Sequence, residues 1–158
     1  MNKTAWNATL KLWVFGWLKV PMIAWVRPKV LELNNQRALI KIALSRRTKN
    51  HLRSMYFGAL CVGADVTGGI HMMHFLNHQM SKLSFVFKDF TADFLKRPEA
   101  DVVFICNDGP VIEATLNKAK LSKERENALI NIIATTPSLS GDEAVARFTL
   151  TLSVKFKS

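Results

Sequence analysis

Within Ala144–Lys157 the chain alternates strictly from Arg147: Phe148, Leu150, Leu152, Val154 and Phe156 take one parity, and Arg147, Thr149, Thr151, Ser153 and Lys155 the other. A period of two predicts a strand with one face packed and the other wet. Leu83, Phe85 and Phe87 open a second such pattern, which predicts a long half-buried strand over Lys82–Phe94. Lys29–Leu33 and Arg37–Leu44, joined by the turn Asn34-Asn35-Gln36, read as two neighbouring strands. Asp101–Asn107, closed by Asn107-Asp108-Gly109-Pro110, and Ala128–Thr135 bring the predicted strands to six.

Helical spacing governs the rest. Over Val111–Glu126, the positions Ile112, Leu116 and Ala119 share an inward face and the charges lie outside. A long apolar helix is predicted over 56–79, after a polar loop at 45–55. All four tryptophans lie in residues 4–26, where Trp6, Leu10, Trp13, Trp17 and Val20 form one stripe opposite Lys3, Asn7 and Lys11. That stripe predicts an amphipathic helix covering its own domain or a dimer partner; docking in a membrane interface is the other reading. Lys11, Lys19 and Pro21 interrupt the apolar run, against either a secretory signal or a spanning helix. Two strands, a long helix, then four strands and one more helix make an α+β chain, not a repeated βαβ one. The expected division is an N-terminal helical segment at 1–27 and one domain at 28–158.

Composition narrows the function. With 158 residues, 49% hydrophobic and 22% charged, the chain suits a single globular core. Its formal charge of +10 draws on clusters at Arg46-Arg47-Lys49-Arg53 and Lys118-Lys120-Lys123-Arg125. No nucleic-acid-binding module accompanies them, so nucleic acid is not the expected partner. A solvated basic surface and a site for a phosphorylated thiol carrier both remain. Cys61 and Cys106 lack a Cys-x-x-Cys spacing and read as reduced core residues of a cytoplasmic protein. No Gly-x-Ser-x-Gly elbow or phosphate-binding glycine loop is present. His71, His74 and His78 are spaced along a helix, but no carboxylate or cysteine follows at a ligand-like offset; no metal is expected.

The informative segment is 50–69, from Asn50-His51 through Tyr56-Phe57-Gly58 to Asp65 and Gly68-Gly69. One carboxylate, Asp65, sits in an apolar, glycine-bearing helix, where it must be either paired with a cation or put to use. At helical spacing Gly58, Cys61, Asp65, Gly68 and Met72 share a face, a strip of small side chains that a ligand or second backbone could approach. His51 could polarise a carbonyl, position water or cap the loop; Asn50 could donate to a carbonyl or fix the loop.

This segment resembles the hotdog-fold thioesterase superfamily, in which a polar Asn/His loop leads to a short glycine motif opening a long central helix. In one branch a catalytic Asp or Glu follows a His-Gly-Gly start by about two turns. Tyr56-Phe57-Gly58 takes the His-Gly-Gly place here, Asp65 falls at the acid, and Arg53 stands where many relatives have Gly. The resemblance implies an antiparallel sheet wrapped around the central helix, with sites built from both chains of a homodimer or dimer of dimers. It further implies hydrolysis of acyl-coenzyme A or acyl-carrier-protein thioesters. Asp65 would be general base or nucleophile, Gly58 would mark the oxyanion site, and Asn50 and His51 would orient the carbonyl or water. Tyr56, Phe57 and the arginines Arg46, Arg47 and Arg53 would meet the carrier. Coenzyme A or phosphopantetheine enters as part of the substrate, and no separate cofactor is expected. Met55, Met72 and Met73 would line an acyl tunnel with the N-terminal helix. The alternative is a non-catalytic hotdog protein that binds acyl chains or lipids, or serves as a scaffold. The expected location is cytoplasmic, with contact at the inner membrane if the tryptophan helix docks there.

Overall fold

The structure, a computed structural model, describes residues 3–76 and 83–157. Its strands are β1 (Lys29–Leu33), β2 (Ala38–Ile42), β3 (Leu83–Phe94), β4 (Val102–Cys106), β5 (Glu126–Thr135) and β6 (Ala144–Phe156). They form one six-stranded sheet in the order β1-β2-β4-β5-β6-β3, and every pairing is antiparallel. The class is α+β, as the element pattern predicts.

The central helix α3 (Phe57–Leu76) lies across β2, β4 and β5. Residues 77–79 of the expected helix, His78 among them, lie outside the described residues. Ile40, Phe104, Ile130, Ile132, Phe148 and Leu150, each at most 2% exposed, fill the space beneath α3. Gly63 lets the helix approach: a methyl at its Cα would stand 2.2 Å from Cζ of Phe104.

Helix α4 (Gly109–Ser122) buries Ile112, Leu116 and Ala119, as its spacing predicts. It stops four residues before the expected end, because Lys123 turns left-handed (φ 57°) and donates its N–H to the Ala119 carbonyl. Glu126 thereby opens β5, where it pairs with Val154 and receives Lys118 in an ion pair of 2.8 Å. From Arg147 to Val154 the alternation of β6 is kept except at Ser153, which is buried on the polar parity under the Arg125 guanidinium, a donor to its Oγ at 3.2 Å. In β3 the pairing shifts between Phe87 and Phe90, an irregularity that turns both rings toward the helix side. A one-turn helix α5 (Pro137–Ser140) joins β5 to β6.

The N-terminal segment forms helices α1 (Lys3–Lys19) and α2 (Pro21–Val26). Ala5, Leu12, Ile23 and Val26 belong to the same core as Ile40 and Phe104. Here the expected orientation is overturned. The stripe of α1 that rests on the domain is Ala5, Thr9, Leu12 and Gly16, and Trp6, Leu10 and Trp17 face outward. Small side chains let the helix sit close, and Thr9 Oγ1 accepts the Val30 N–H of β1 at 3.0 Å. Trp13 alone among the stripe's tryptophans is half-buried, its indole donating to the Pro28 carbonyl at 2.7 Å.

His71, expected as a helix-end residue, is fully buried. Its ring meets the Asn34 carbonyl at 3.1 Å and Cys106 Sγ at 3.5 Å. Burial lowers its pKa below the ordinary 6.5, while burial pushes the Cys106 thiol up to about 11. Because the folded chain resists protonating His71, stability is full above pH 6.5 and falls as pH drops from 6.5 toward the depressed value. The unfolding free energy from urea titrations is expected to fall between pH 7 and 5 with a slope contributed by His71 of at most about 1.4 kcal/mol per pH unit. His71→Leu should flatten that slope.

Candidate active site

The loop ahead of α3 is fastened at both ends. Met55 N–H donates to the Pro98 carbonyl at 2.8 Å and Tyr56 N–H to Thr48 O at 2.7 Å. Asn50 fixes the turn within the loop. Its Oδ1 accepts from the Leu52 and Ser54 amides at 2.9 and 3.2 Å, and its Nδ2 donates to Ser54 Oγ at 3.1 Å. Of the two roles open to Asn50, the contacts are those of loop fixing. His51 is exposed and makes no hydrogen bond among the described residues.

The helix then begins with spare donors. Ala59 and Leu60 N–H groups both reach the Tyr56 carbonyl, at 2.9 and 3.2 Å. The Phe57 and Gly58 N–H groups have no acceptor among the described residues, as the first amides of a helix must unless a cap or ligand meets them. Both lie at the positive end of the α3 dipole. Phe57 lines a cleft of about 600 Å³ formed by the loop, the first turn of α3 and residues 94–98, and Gly58 follows it in the same turn. Asn50, His51, Tyr56, Phe57, Lys96 and Arg97 are among its lining residues. Tyr56, Phe57 and Phe94 cluster there with ring centroids 4.8 and 6.2 Å apart, each about half exposed. The Tyr56 ring leans over Gly58, where an added methyl would lie 2.5 Å from its Cε1.

Asp65 is not in this cleft. It lies about 10 Å farther along the helix axis than Gly58, exposed, with no hydrogen bond or ion pair among the described residues. Of the two readings open for this carboxylate, the cation pair is not found among the described residues. Water reaches the carboxylate from the open side while packed protein crowds it from the other, and that desolvation raises its pKa above the ordinary aspartate value. The strip it occupies is Gly58, Cys61, Val62, Asp65 and Gly69, with open space over Gly69. Two residues placed on this face by spacing are elsewhere: a methyl on Gly68 would meet Ile130 and Phe87, and Met72 is fully buried. Cys61, expected in the core, is half-buried on the strip and a free thiol.

The three methionines do not share a tunnel. Met55 is at the loop cleft, Met72 is sealed in the core, and Met73 lines a separate cavity of about 490 Å³ between α1 and α3. The loop arginines also diverge. Arg47 stacks over the Trp25 ring at 5.3 Å, and Arg46 and Arg53 are exposed outside the cleft lining. The cations that line the cleft are Lys96 and Arg97, which no local motif marks; the β3–β4 connection delivers them. No cluster of metal-ligating side chains occurs among the described residues.

The family model described as Domain of unknown function (DUF4442) matches residues 10–154. The chain belongs to this family. The DUF4442 chain matches no curated protein, but its fold recurs in solved structures. One is a Pseudomonas aeruginosa protein of unknown function described as a probable thioesterase, with 17% identity and a TM-score of 0.76 over 94% of this chain and 95% of that one. Another is a thioesterase from Haemophilus influenzae, 14% identical with a TM-score of 0.70, covering 99% of this chain and 93% of that one. A Chlorobaculum tepidum protein of unknown function is 12% identical with a TM-score of 0.77, over 98% and 97%. At these identities the likeness is one of fold, and the fold is the hotdog.

Proposed function

We propose that the protein hydrolyses acyl thioesters of coenzyme A or acyl-carrier protein, as a homodimer whose sites each use both chains. The observation that carries the reading is the pair of uncommitted amides, Phe57 and Gly58, in the first turn of α3, where Phe57 lines a largely apolar cleft. A thioester oxygen gains charge when water adds to its carbonyl carbon, and two fixed N–H donors at a helix start stabilise that charge. The added water loses its proton to a carboxylate, the C–S bond then breaks, and the thiolate takes a proton to leave acid and free thiol. Asp65 supplies the carboxylate. Its alternative route, direct attack to form an anhydride that water then opens, uses the same residue. Arg97, and Lys96 if it leaves its ion pair with Glu143, would meet the carrier phosphates. Free thiols at Cys61 and Cys106 fit a cytoplasmic protein.

A single chain keeps its Asp65 about 10 Å from its own amides along the axis, and symmetry removes the gap. If two α3 strips lie side by side on a two-fold axis near Cys61 and Val62, Asp65 of each copy comes level with Gly58 of the other. The small residues of the strip permit that approach. The twelve-residue edge strand β3 offers the accompanying sheet contact. It exposes Val86 by 51% and Phe90 by 39%. Two measurements test this. Wild type offered a panel of acyl-coenzyme A esters should release free thiol; no turnover of any ester would favour the non-catalytic acyl binder. A short bismaleimide should couple two chains through Cys61, and Cys61→Ser should abolish the product. Monomeric behaviour in sedimentation, with no cross-link, rejects the shared site.

A further inference from the structure

We propose that the outward face of α1 and α2 is a docking surface for an anionic lipid bilayer. Trp6, Leu10, Val14, Trp17 and Leu18 stand on α1 with 40%, 41%, 57%, 76% and 73% of their surface exposed. Met22 and Trp25 continue the face on α2 at 57% and 56%. A soluble chain seldom leaves so many large apolar side chains together in water. The choice of residue identifies the covering phase. Indole rings are favoured where an apolar interior meets hydrated headgroups, and helices that lie in that plane flank their apolar residues with lysine and arginine. Lys11, Lys19 and Arg27 are exposed along these two helices, and Arg47 is held over the Trp25 ring at 5.3 Å. The whole chain carries a formal +10, complementary to acidic headgroups.

The face is also rigidly presented. Gly16 lets α2 fold back on α1, since a methyl there would lie 2.8 Å from the Ala24 nitrogen. The Thr9–Val30 and Trp13–Pro28 hydrogen bonds fasten α1 to the start of β1. No helix among the described residues is long and apolar enough to cross a membrane, so contact would be along the surface. Because β1 and β3 form opposite edges of the sheet, pairing through β3 leaves this face uncovered.

The test is cosedimentation of the full chain with phosphatidylglycerol vesicles and with phosphatidylcholine vesicles, followed by tryptophan emission. Retention on phosphatidylglycerol with a blue shift is expected, weakening at high salt, with retention at least tenfold lower on phosphatidylcholine. Trp17→Ser combined with Leu18→Ser should reduce retention at least tenfold, with the circular dichroism spectrum and hydrolysis of a short-chain soluble thioester unchanged. Absence of retention on phosphatidylglycerol at low salt, or retention that ignores the double substitution, overturns the proposal. So does a wild-type assembly larger than a dimer that the double substitution dissociates, because a further copy of the chain then covers the face.

Discussion

Asp65→Asn is expected to lower thioester hydrolysis by about 10²–10⁴-fold, with melting temperature and dimer mass retained. The substitution keeps size and hydrogen-bonding shape but removes the group that takes the proton. Because desolvation raises the Asp65 pKa, the wild-type rate should rise with pH through that raised value, the carboxylate being active only when ionised. The linked stability runs the other way. A carboxyl whose folded pKa is raised contributes stability fully present below its ordinary 3.8 and lost as pH rises through the folded value. Asp65→Asn should therefore leave the chain no less stable at pH 7, and a large loss of stability would assign Asp65 a structural role. Mixing gives a sharper readout. Asp65→Asn chains combined with chains altered at Lys96 and Arg97 should recover roughly a quarter of the wild-type rate, since half of random pairs hold one intact site of two. No recovery would mean that each site is confined to one chain.

The largest expected effect on stability is at Gly63. An alanine gains about 1 kcal/mol in helix propensity, but its methyl meets the Phe104 ring at 2.2 Å, and Phe104 is fully buried against Phe148. Overpacking of this kind costs about 1–3 kcal/mol. Because the ring cannot swing into solvent, Gly63→Ala should lower the melting temperature by up to roughly 8 °C, at about 2–4 °C per kcal/mol for a chain of this size. In a Phe104→Leu background the same change should cost much less, a coupling that a double-mutant cycle measures. Equal costs in both backgrounds would show that Phe104 is not what the glycine accommodates.

The parts of the fold legible in the sequence are those where one face is wet. Phe148 to Val154 in β6, and Ile112, Leu116 and Ala119 in α4, contrast with polar neighbours, so period alone assigns their sides. In α3 that contrast is missing. The sheet wraps most of the helix, apolar residues occupy nearly every direction, and so Gly68 and Met72 were assignable to the Asp65 face although they pack inward. The α1 helix misleads for a different reason. Hydropathy rewards large side chains and points to Trp6, Leu10 and Trp17, whereas close packing on the sheet selects Ala5, Thr9, Leu12 and Gly16. At the cleft, Tyr56, Phe57 and His51 follow from the local motif. Lys96 and Arg97 could not, because the central helix and strand β3 separate them from it in the chain. Asp65 stands out in the sequence as an acid among apolar residues, but the groups it is proposed to serve belong to another copy, which no single chain displays.

The hydrogen bond from Val30 to Thr9 sets a limit on growth. With α1 laid along the start of β1, one rim of the sheet is partly covered among the described residues, whereas the β3 rim offers its backbone to a neighbour. In the proposed dimer, a ribbon with one covered side would join once and then be finished, so association through strands would close at two copies. Shortening the chain past Thr9 would expose the second side as well, and the finite pair would give way to open-ended stacking.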